Sequence, residues 1–294
     1  MFDSKNTKIK TELFMPTENA LFTILEEKIK HDALVLPTLP EIALKVQQKS
    51  EDPDINLNQM ATVISQDPAM AARMIQVANS AILARAVKVE NINQAVTRIG
   101  LRQIKNIVVA MALEQVYQSK NDIVALYMKK TWQKTIEVAS YAISALYFYR
   151  KDHKHSSLQI ENITLASMVH SIGVLPILTE AENHPDTFAN PTFLEHAIVS
   201  LSGKIGACVL KKWNFPDELV DVVSLWSNMS YSPDNVCYID FIRLGVVCAG
   251  IIKDEDLKIK LMASAVERGV LESEDLLLSD DFKETQASVK QMFD

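Results

Sequence analysis

One buried-looking stretch constrains this chain more than any other, and it covers residues 164–175, TLASMVHSIGVL. It is apolar on nearly every side, which is typical of a helix buried all round, because a surface helix keeps one polar face. His170 and Ser171 interrupt it in the middle. A lone histidine in such a place is commonly a core residue with its hydrogen bonds satisfied. The competing interpretation is a metal ligand, since neutral imidazole binds transition metals.

The composition favours an all-α protein. Only 7 of the 294 residues are glycine, which argues against a turn-rich β architecture, and most apolar residues recur at helical spacing. A hydrophobic content of 48% with 23% charged residues is ordinary for a globular chain. The formal net charge of −7 disfavours a general surface for nucleic acid or anionic membranes.

The cysteines and the hydropathy pattern bear on location. Cys208, Cys237 and Cys248 are far apart without C-x-x-C spacing, so they fit buried, reduced thiols better than a disulfide frame or a zinc site. No run of about 18 apolar residues is apparent, and the polar N-terminus does not resemble a signal peptide. We therefore expect a cytoplasmic protein without a membrane span.

The N-terminal part contains several local helix signals. A mobile arm over residues 1–20 is expected to precede a lead-in helix, Ala20–Lys30. Asp67 is placed to cap a helix whose first residue is Pro68, and Gly100 is a favoured C-terminal glycine. Between the lead-in helix and Asp67, Pro37 and Pro40 each favour extended backbone at the residue before them.

Short helices with tight turns also allow a second interpretation, a DNA-reading helix-turn-helix. Arg98, Arg102 and Lys105 supply some positive charge. Three basic residues spread over two helices are more often solvated surface charges, so nucleic-acid binding is not favoured.

Four motifs, in this order, resemble the HDOD domain over roughly residues 30–226: Leu36–Glu41, Ile64–Pro68, Ala78–Ser80 and Ile99–Arg102. The resemblance implies an all-α, HD-domain-like helical bundle with an added N-terminal helical subdomain and C-terminal helices. It also implies a regulatory role in bacterial signalling without a catalytic constellation. The positions that carry the family signature are Pro37, Pro40, Asp67, Pro68, Arg73, Asn79, Ser80, Gly100, Arg102, Gly173, Trp213 and Pro216.

The same resemblance permits a position-by-position test of the hydrolase metal site. HD-superfamily phosphohydrolases carry a His-Asp doublet, which here is His170–Ser171. The first histidine aligns with Lys134 and a later one with Ser202. A lysine ammonium offers no lone pair to a metal, and a serine hydroxyl is neutral and a poor ligand. The terminal aspartate has no counterpart, since Asp240 is out of phase.

These losses predict no catalytic residue, no metal and no cofactor. Lys134, His170, Ser171 and Ser202 would then line a vestigial pocket. The first functional hypothesis is a non-catalytic signalling or regulatory module that binds an unknown protein partner, with an anionic small molecule held through Lys134 as a further option. A divergent metal-dependent phosphohydrolase is the alternative, and a DNA-binding regulator is the second alternative.

The chain is expected to divide into four parts. They are the arm and lead-in helix (1–30), the N-terminal helical part (31–120), the HD-like bundle (121–253) and an acidic helical tail (254–294). The tail is expected to pack on the bundle or on a partner.

Overall fold

A computed structural model describes residues 16–183 and 191–293. Within these ranges the chain is helical and has no strand, which confirms the all-α prediction. The helices are α1 (Pro16–Lys30), α2 (Glu41–Ser50), α3 (Leu57–Ile64), α4 (Pro68–Ala78), α5 (Ile92–Ile99), α6 (Leu101–Ala112), α7 (Asp122–Asp152), α8 (Ile160–Val169), α9 (Val174–Glu182), α10 (Pro191–Lys212), α11 (Asp217–Leu225), α12 (Tyr238–Cys248), α13 (Glu255–Glu267) and α14 (Asp280–Gln291).

The lead-in helix is longer than expected. α1 begins at Pro16, so the prediction that residues 16–20 belong to an irregular arm is wrong, and residues 1–15 lie outside the described range. Proline is tolerated in the first turn of a helix because the amide it lacks has no helical partner there. Lys28 of α1 forms an ion pair of 2.7 Å with the buried Glu180 of α9.

Side-chain caps delimit the short N-terminal helices. The Asp67 carboxylate accepts a hydrogen bond of 2.9 Å from the Met70 amide, with Pro68 at the first helical position. Asn91 caps α5 in the same way, through the Gln94 amide at 3.0 Å. Gly100 separates α5 from α6 with φ of +93°, a conformation that L side chains rarely adopt. These local bonds fix the starts of α4 and α5 and the boundary between α5 and α6.

Signature residues join distant parts of the chain. The Trp213 indole donates a hydrogen bond of 3.0 Å to the Pro37 carbonyl oxygen, and Pro216 immediately precedes α11. Asn79 holds the backbone of Val89 with two bonds of 2.8 Å, and so fastens the loop between α4 and α5. The Trp213 bond therefore attaches the segment before α2 to the bundle, whereas the Asn79 bonds order the N-terminal helices themselves.

Two further signature arginines behave differently. Arg73 donates to the Met111 carbonyl oxygen at 3.1 Å and also pairs with Glu114, whereas Arg102 is exposed.

The signature residue Ser80 is buried at the end of α4, where its hydroxyl donates to the Val77 carbonyl oxygen at 2.7 Å. Most of the signature therefore serves helix ends and connections between helices.

The 31-residue helix α7 forms the axis of the bundle. α8, α12 and α14 pack along it, with α12 making the most extensive contact. The backbones of α7 and α12 approach closely at Gly245, where an added Cβ would lie 2.5 Å from the Val138 carbonyl oxygen. Only glycine fits such an approach, because the opposing atom belongs to the backbone.

The apolar stretch that dominates the sequence is two helices rather than the one predicted. α8 ends at Val169, residues 170–173 form a turn, and α9 begins at Val174. Bonds from the Ile172 amide to the Val169 carbonyl (2.9 Å) and from Val174 to Ser171 (3.0 Å) tighten this turn. The turn lies against α10, where a Cβ on Gly173 would be 1.9 Å from the Ser202 carbonyl oxygen.

One segment, residues 160–182, is long and apolar enough to cross a membrane by length and composition. Of its most apolar window, 83% is buried inside the protein. Its hydrophobicity is therefore accounted for by its place in the core, and the sequence-based expectation that no apolar run reaches this length needs that correction.

The C-terminal helices pack on the bundle. α13 lies against α12, and α14 lies against α7. The buried Phe282 ring of α14 is 5.5 Å from Phe148 and 6.4 Å from Tyr141, and Gln286 donates to the Ser140 hydroxyl at 2.8 Å. Residues 280–293 therefore complete the core on one side of α7.

The three cysteines are free thiols as predicted, but each is only partly buried, so the prediction of buried thiols is corrected. Burial of the Cys248 thiol still raises its pKa to about 12. That thiol stays protonated at neutral pH and is a poor nucleophile.

Candidate functional site

A cavity of about 560 Å³ lies where the turn 170–173 faces α7, α10 and α12. All four residues predicted for the vestigial pocket, Lys134, His170, Ser171 and Ser202, line it. The remaining lining residues are Tyr127, Lys130, Thr131, Thr135, Val174, Ile198, Val199, Trp226, Ser227, Met229, Val246, Ile251, Ile252 and Leu257.

His170 is buried and hydrogen-bonded. Its Nδ1 lies 2.5 Å from the Ser167 carbonyl oxygen, which can only accept, so Nδ1 carries the proton and Nε2 keeps a free lone pair. The Trp226 indole donates to the His170 carbonyl oxygen at 2.9 Å, and its ring meets the imidazole edge-on at 5.2 Å. Burial lowers the pKa of His170 from 6.5 to about 4. The imidazole is therefore neutral at physiological pH.

Hydroxyl groups surround the position at which the hydrolases have an aspartate. The Ser171 Oγ lies 2.7 Å from the Thr135 hydroxyl and 3.4 Å from the Tyr117 hydroxyl. Burial raises the pKa of Tyr117, so this hydroxyl is also neutral. Tyr117 is held by the Trp132 ring at 5.0 Å. The cluster carries no negative charge.

Lys134 and Thr135 both line the cavity but differ in burial and in their contacts. Lys134 is exposed, and its ammonium donates to the Ala249 carbonyl oxygen at 2.8 Å, whereas buried Thr135 is the residue that contacts Ser171. Helical spacing could have found this, because Thr135 falls on the same face as Trp132 and Ala139, both of which are buried.

Asp240 does not line the cavity. Its carboxylate pairs with Arg268 at 2.8 Å and accepts from the Cys237 amide at 2.9 Å, so it serves the start of α12.

The residues present do not fit the metal centre of the HD phosphohydrolases. Within residues 16–183 and 191–293, no group of three or more His, Cys, Asp and Glu side chains could hold a metal ion. The cavity lining has one histidine and no carboxylate. Two adjacent cations need several oxygen and nitrogen ligands with compensating charge, which this set does not supply.

The apolar walls of the cavity were missed by sequence reasoning. Val246 of α12, Ile252 of the following loop and Leu257 of α13 come from segments far from the His170 turn. Nothing in the local pattern of these segments distinguishes a cavity wall from ordinary core. They make the cavity an apolar chamber with a polar floor.

A profile of the HDOD domain matches residues 36–229. The chain belongs to the HDOD domain family. The predicted resemblance is thereby confirmed.

Two solved structures place this HDOD protein among known folds. One, from Shewanella amazonensis SB2B, carries the provisional name metal-dependent phosphohydrolase; it is 42% identical with a TM-score of 0.91, covering 95% of this chain and all of that one. An HDOD domain protein of unknown function from Geobacter sulfurreducens is 18% identical with a TM-score of 0.59, covering 94% and 98% of the respective chains. The predicted HD-like helical bundle is confirmed.

A curated protein of Treponema pallidum (strain Nichols) is 25% identical over 213 residues, or 68% of this chain. The chain spans 39% of the length of that relative.

Proposed function

We propose that this HDOD protein is a non-catalytic regulatory module of the cytoplasm that acts by binding. One observation carries the proposal: the cavity at the hydrolase position holds a neutral histidine and a cluster of hydroxyls, with no carboxylate in its lining. A site of this kind retains a shaped chamber while lacking the charge that fixes catalytic cations. A protein partner is proposed as the recipient of the signal.

A metal-dependent phosphohydrolase remains the second candidate because one observation favours it. The Shewanella protein with that provisional name is 42% identical, and His170, the histidine of the doublet, lines the cavity here. Its weakness is electrostatic: a single neutral imidazole ligates an ion without balancing its charge. Similarity of fold does not carry chemistry from one protein to another.

Metal analysis of the purified chain tests both candidates together. The proposal expects no stoichiometric iron, manganese or zinc, and no turnover of nucleotides or cyclic dinucleotides that depends on His170. His170→Ala is compared with His153→Ala, a substitution at an exposed histidine outside the cavity. Stoichiometric metal together with hydrolysis that only His170→Ala abolishes would establish the phosphohydrolase instead.

One of the arginines that motivated the DNA-binding alternative serves the fold. Arg98 donates to the Ala78 carbonyl oxygen at 3.2 Å and also to the Val87 carbonyl, so its charge serves the protein's own backbone. A mobility shift measured from low to moderate salt is expected to show no DNA binding. A steeply salt-dependent shift would favour the regulator that reads DNA.

A further inference from the structure

We infer that the cavity beside His170 binds a small apolar molecule that carries a single carboxylate, such as a medium-chain fatty acid. This rests on the proposed function, because the ligand takes the space that a metal centre occupies in a hydrolase. The inference depends on three features: the size of the chamber, its apolar walls and the sign of the charge at its rim.

The volume and the apolar walls of the cavity favour a small ligand that is mostly aliphatic. A volume of about 560 Å³ falls within the range of roughly 300–1,000 Å³ typical of small-molecule sites. Val174, Val246, Ile252 and Leu257 contribute aliphatic surface from four separate segments. Such a surface gains free energy by excluding water, and an alkyl chain supplies matching apolar area without needing hydrogen bonds.

The charged side chains at the rim of the cavity favour a ligand with a negatively charged end. Lys130 and Lys134 are the ionised side chains of the lining, which contains no aspartate or glutamate. An ammonium has three donors, and Lys134 uses one on the Ala249 carbonyl oxygen, so two stay available for a carboxylate. Two lysines at an exposed edge suit one negative charge. They are too few, without a glycine-rich loop, for the several charges of a nucleotide polyphosphate.

The floor offers a second set of polar contacts. The neutral His170 Nε2 accepts, and the Ser171 and Thr135 hydroxyls can reorient to donate or accept. A group with a positive charge would face two ammonium ions and no counter-charge. The electrostatics therefore oppose amines and favour carboxylates.

The test is calorimetric titration of the full chain, already analysed for metal, with decanoate. Saturable binding of one decanoate per chain is expected. Octanoate is expected to bind about tenfold more weakly, because two fewer methylenes are buried. Decanol lacks the charge and is expected to bind about threefold to fivefold more weakly, while adenosine monophosphate is expected not to bind.

Paired variants locate the site. Ser202→Phe fills the cavity from α10 and is expected to weaken decanoate binding at least about tenfold. Ser200→Phe, on the exposed face of the same helix and outside the lining, is expected to leave it unchanged. Lys134→Met leaves only Lys130 at the rim and is expected to reduce the preference for decanoate over decanol, whereas Lys129→Met, on the same helix but outside the lining, retains it.

Two results would overturn the inference: decanoate that fails to saturate, or binding that Ser202→Phe and Ser200→Phe affect equally. Binding of adenosine monophosphate in place of decanoate would also overturn it. The metal analysis separates this failure from that of the proposed function. A metal-free chain that ignores decanoate refutes only the ligand class, whereas stoichiometric metal with hydrolysis dependent on His170 refutes the regulatory role.

Discussion

Acidification should destabilise this protein through His170, and the size of the effect follows from its burial. The pKa of the imidazole falls from 6.5 to about 4 in the folded chain, because burial disfavours the charged form. The unfolded chain takes up the proton below pH 6.5 and the folded chain does not. Stability is therefore complete above pH 6.5 and lost as the pH falls toward 4. Between pH 7.5 and pH 5 this single group costs about 2 kcal/mol.

The assay is urea unfolding followed by circular dichroism at pH 7.5 and pH 5. His170→Asn keeps an amide donor near the position of Nδ1 and removes the titrating group. Its free energy of unfolding is expected to fall by about 2 kcal/mol less than that of the natural chain over this interval. His153→Asn, at an exposed histidine stacked 3.9 Å from Tyr149, is expected to behave like the natural chain. Equal losses in all three proteins would refute the reasoning.

Four further substitutions test a close helix approach, a helix cap and a long-range hydrogen bond. Gly173→Ala is expected to lose about 3 kcal/mol or more in urea unfolding, because its Cβ would lie 1.9 Å from a backbone oxygen of α10. Gly203→Ala, with 3.2 Å available, is expected to lose less than about 1 kcal/mol. Asp67→Ala is expected to cost about 1 kcal/mol in the same assay, since it removes the α4 cap. Trp213→Phe keeps an aromatic ring and loses the bond to the Pro37 carbonyl, so thermal unfolding should show a loss of about 1 kcal/mol. Equal effects of the two glycine substitutions would contradict the close approach of the turn. Unchanged stability of the other two variants would contradict the stated hydrogen bonds.

Features governed by neighbouring residues could be predicted from the sequence. The Asp67–Pro68 cap and the Gly100 boundary depend on a few adjacent positions, and the structure has both. The helical class followed from apolar spacing, and the HDOD motifs supplied the arrangement of the bundle. Each of these signals is contained within a short window.

Features that depend on packing between distant segments could not be read in this way. The turn at residues 170–173 lies so close to α10 that no side chain fits at Gly173, and no local sequence signal marks that approach. The contact of Thr135 with Ser171 depends on the rotation of α7 about its own axis, which no short window of sequence specifies. The walls near Ile252 and Leu257 come from a region beyond the family motifs.

The position of α12 and α14 has a practical consequence for anyone cutting this chain into fragments. The HDOD match ends at residue 229, yet the helix with the most extensive contact to α7 begins at Tyr238, and Phe282 is buried against the aromatic rings of α7. A fragment trimmed to the matched span would expose a continuous apolar surface along that side of α7. Such a truncation is expected to aggregate, whereas a fragment that extends to residue 293 keeps this apolar surface covered.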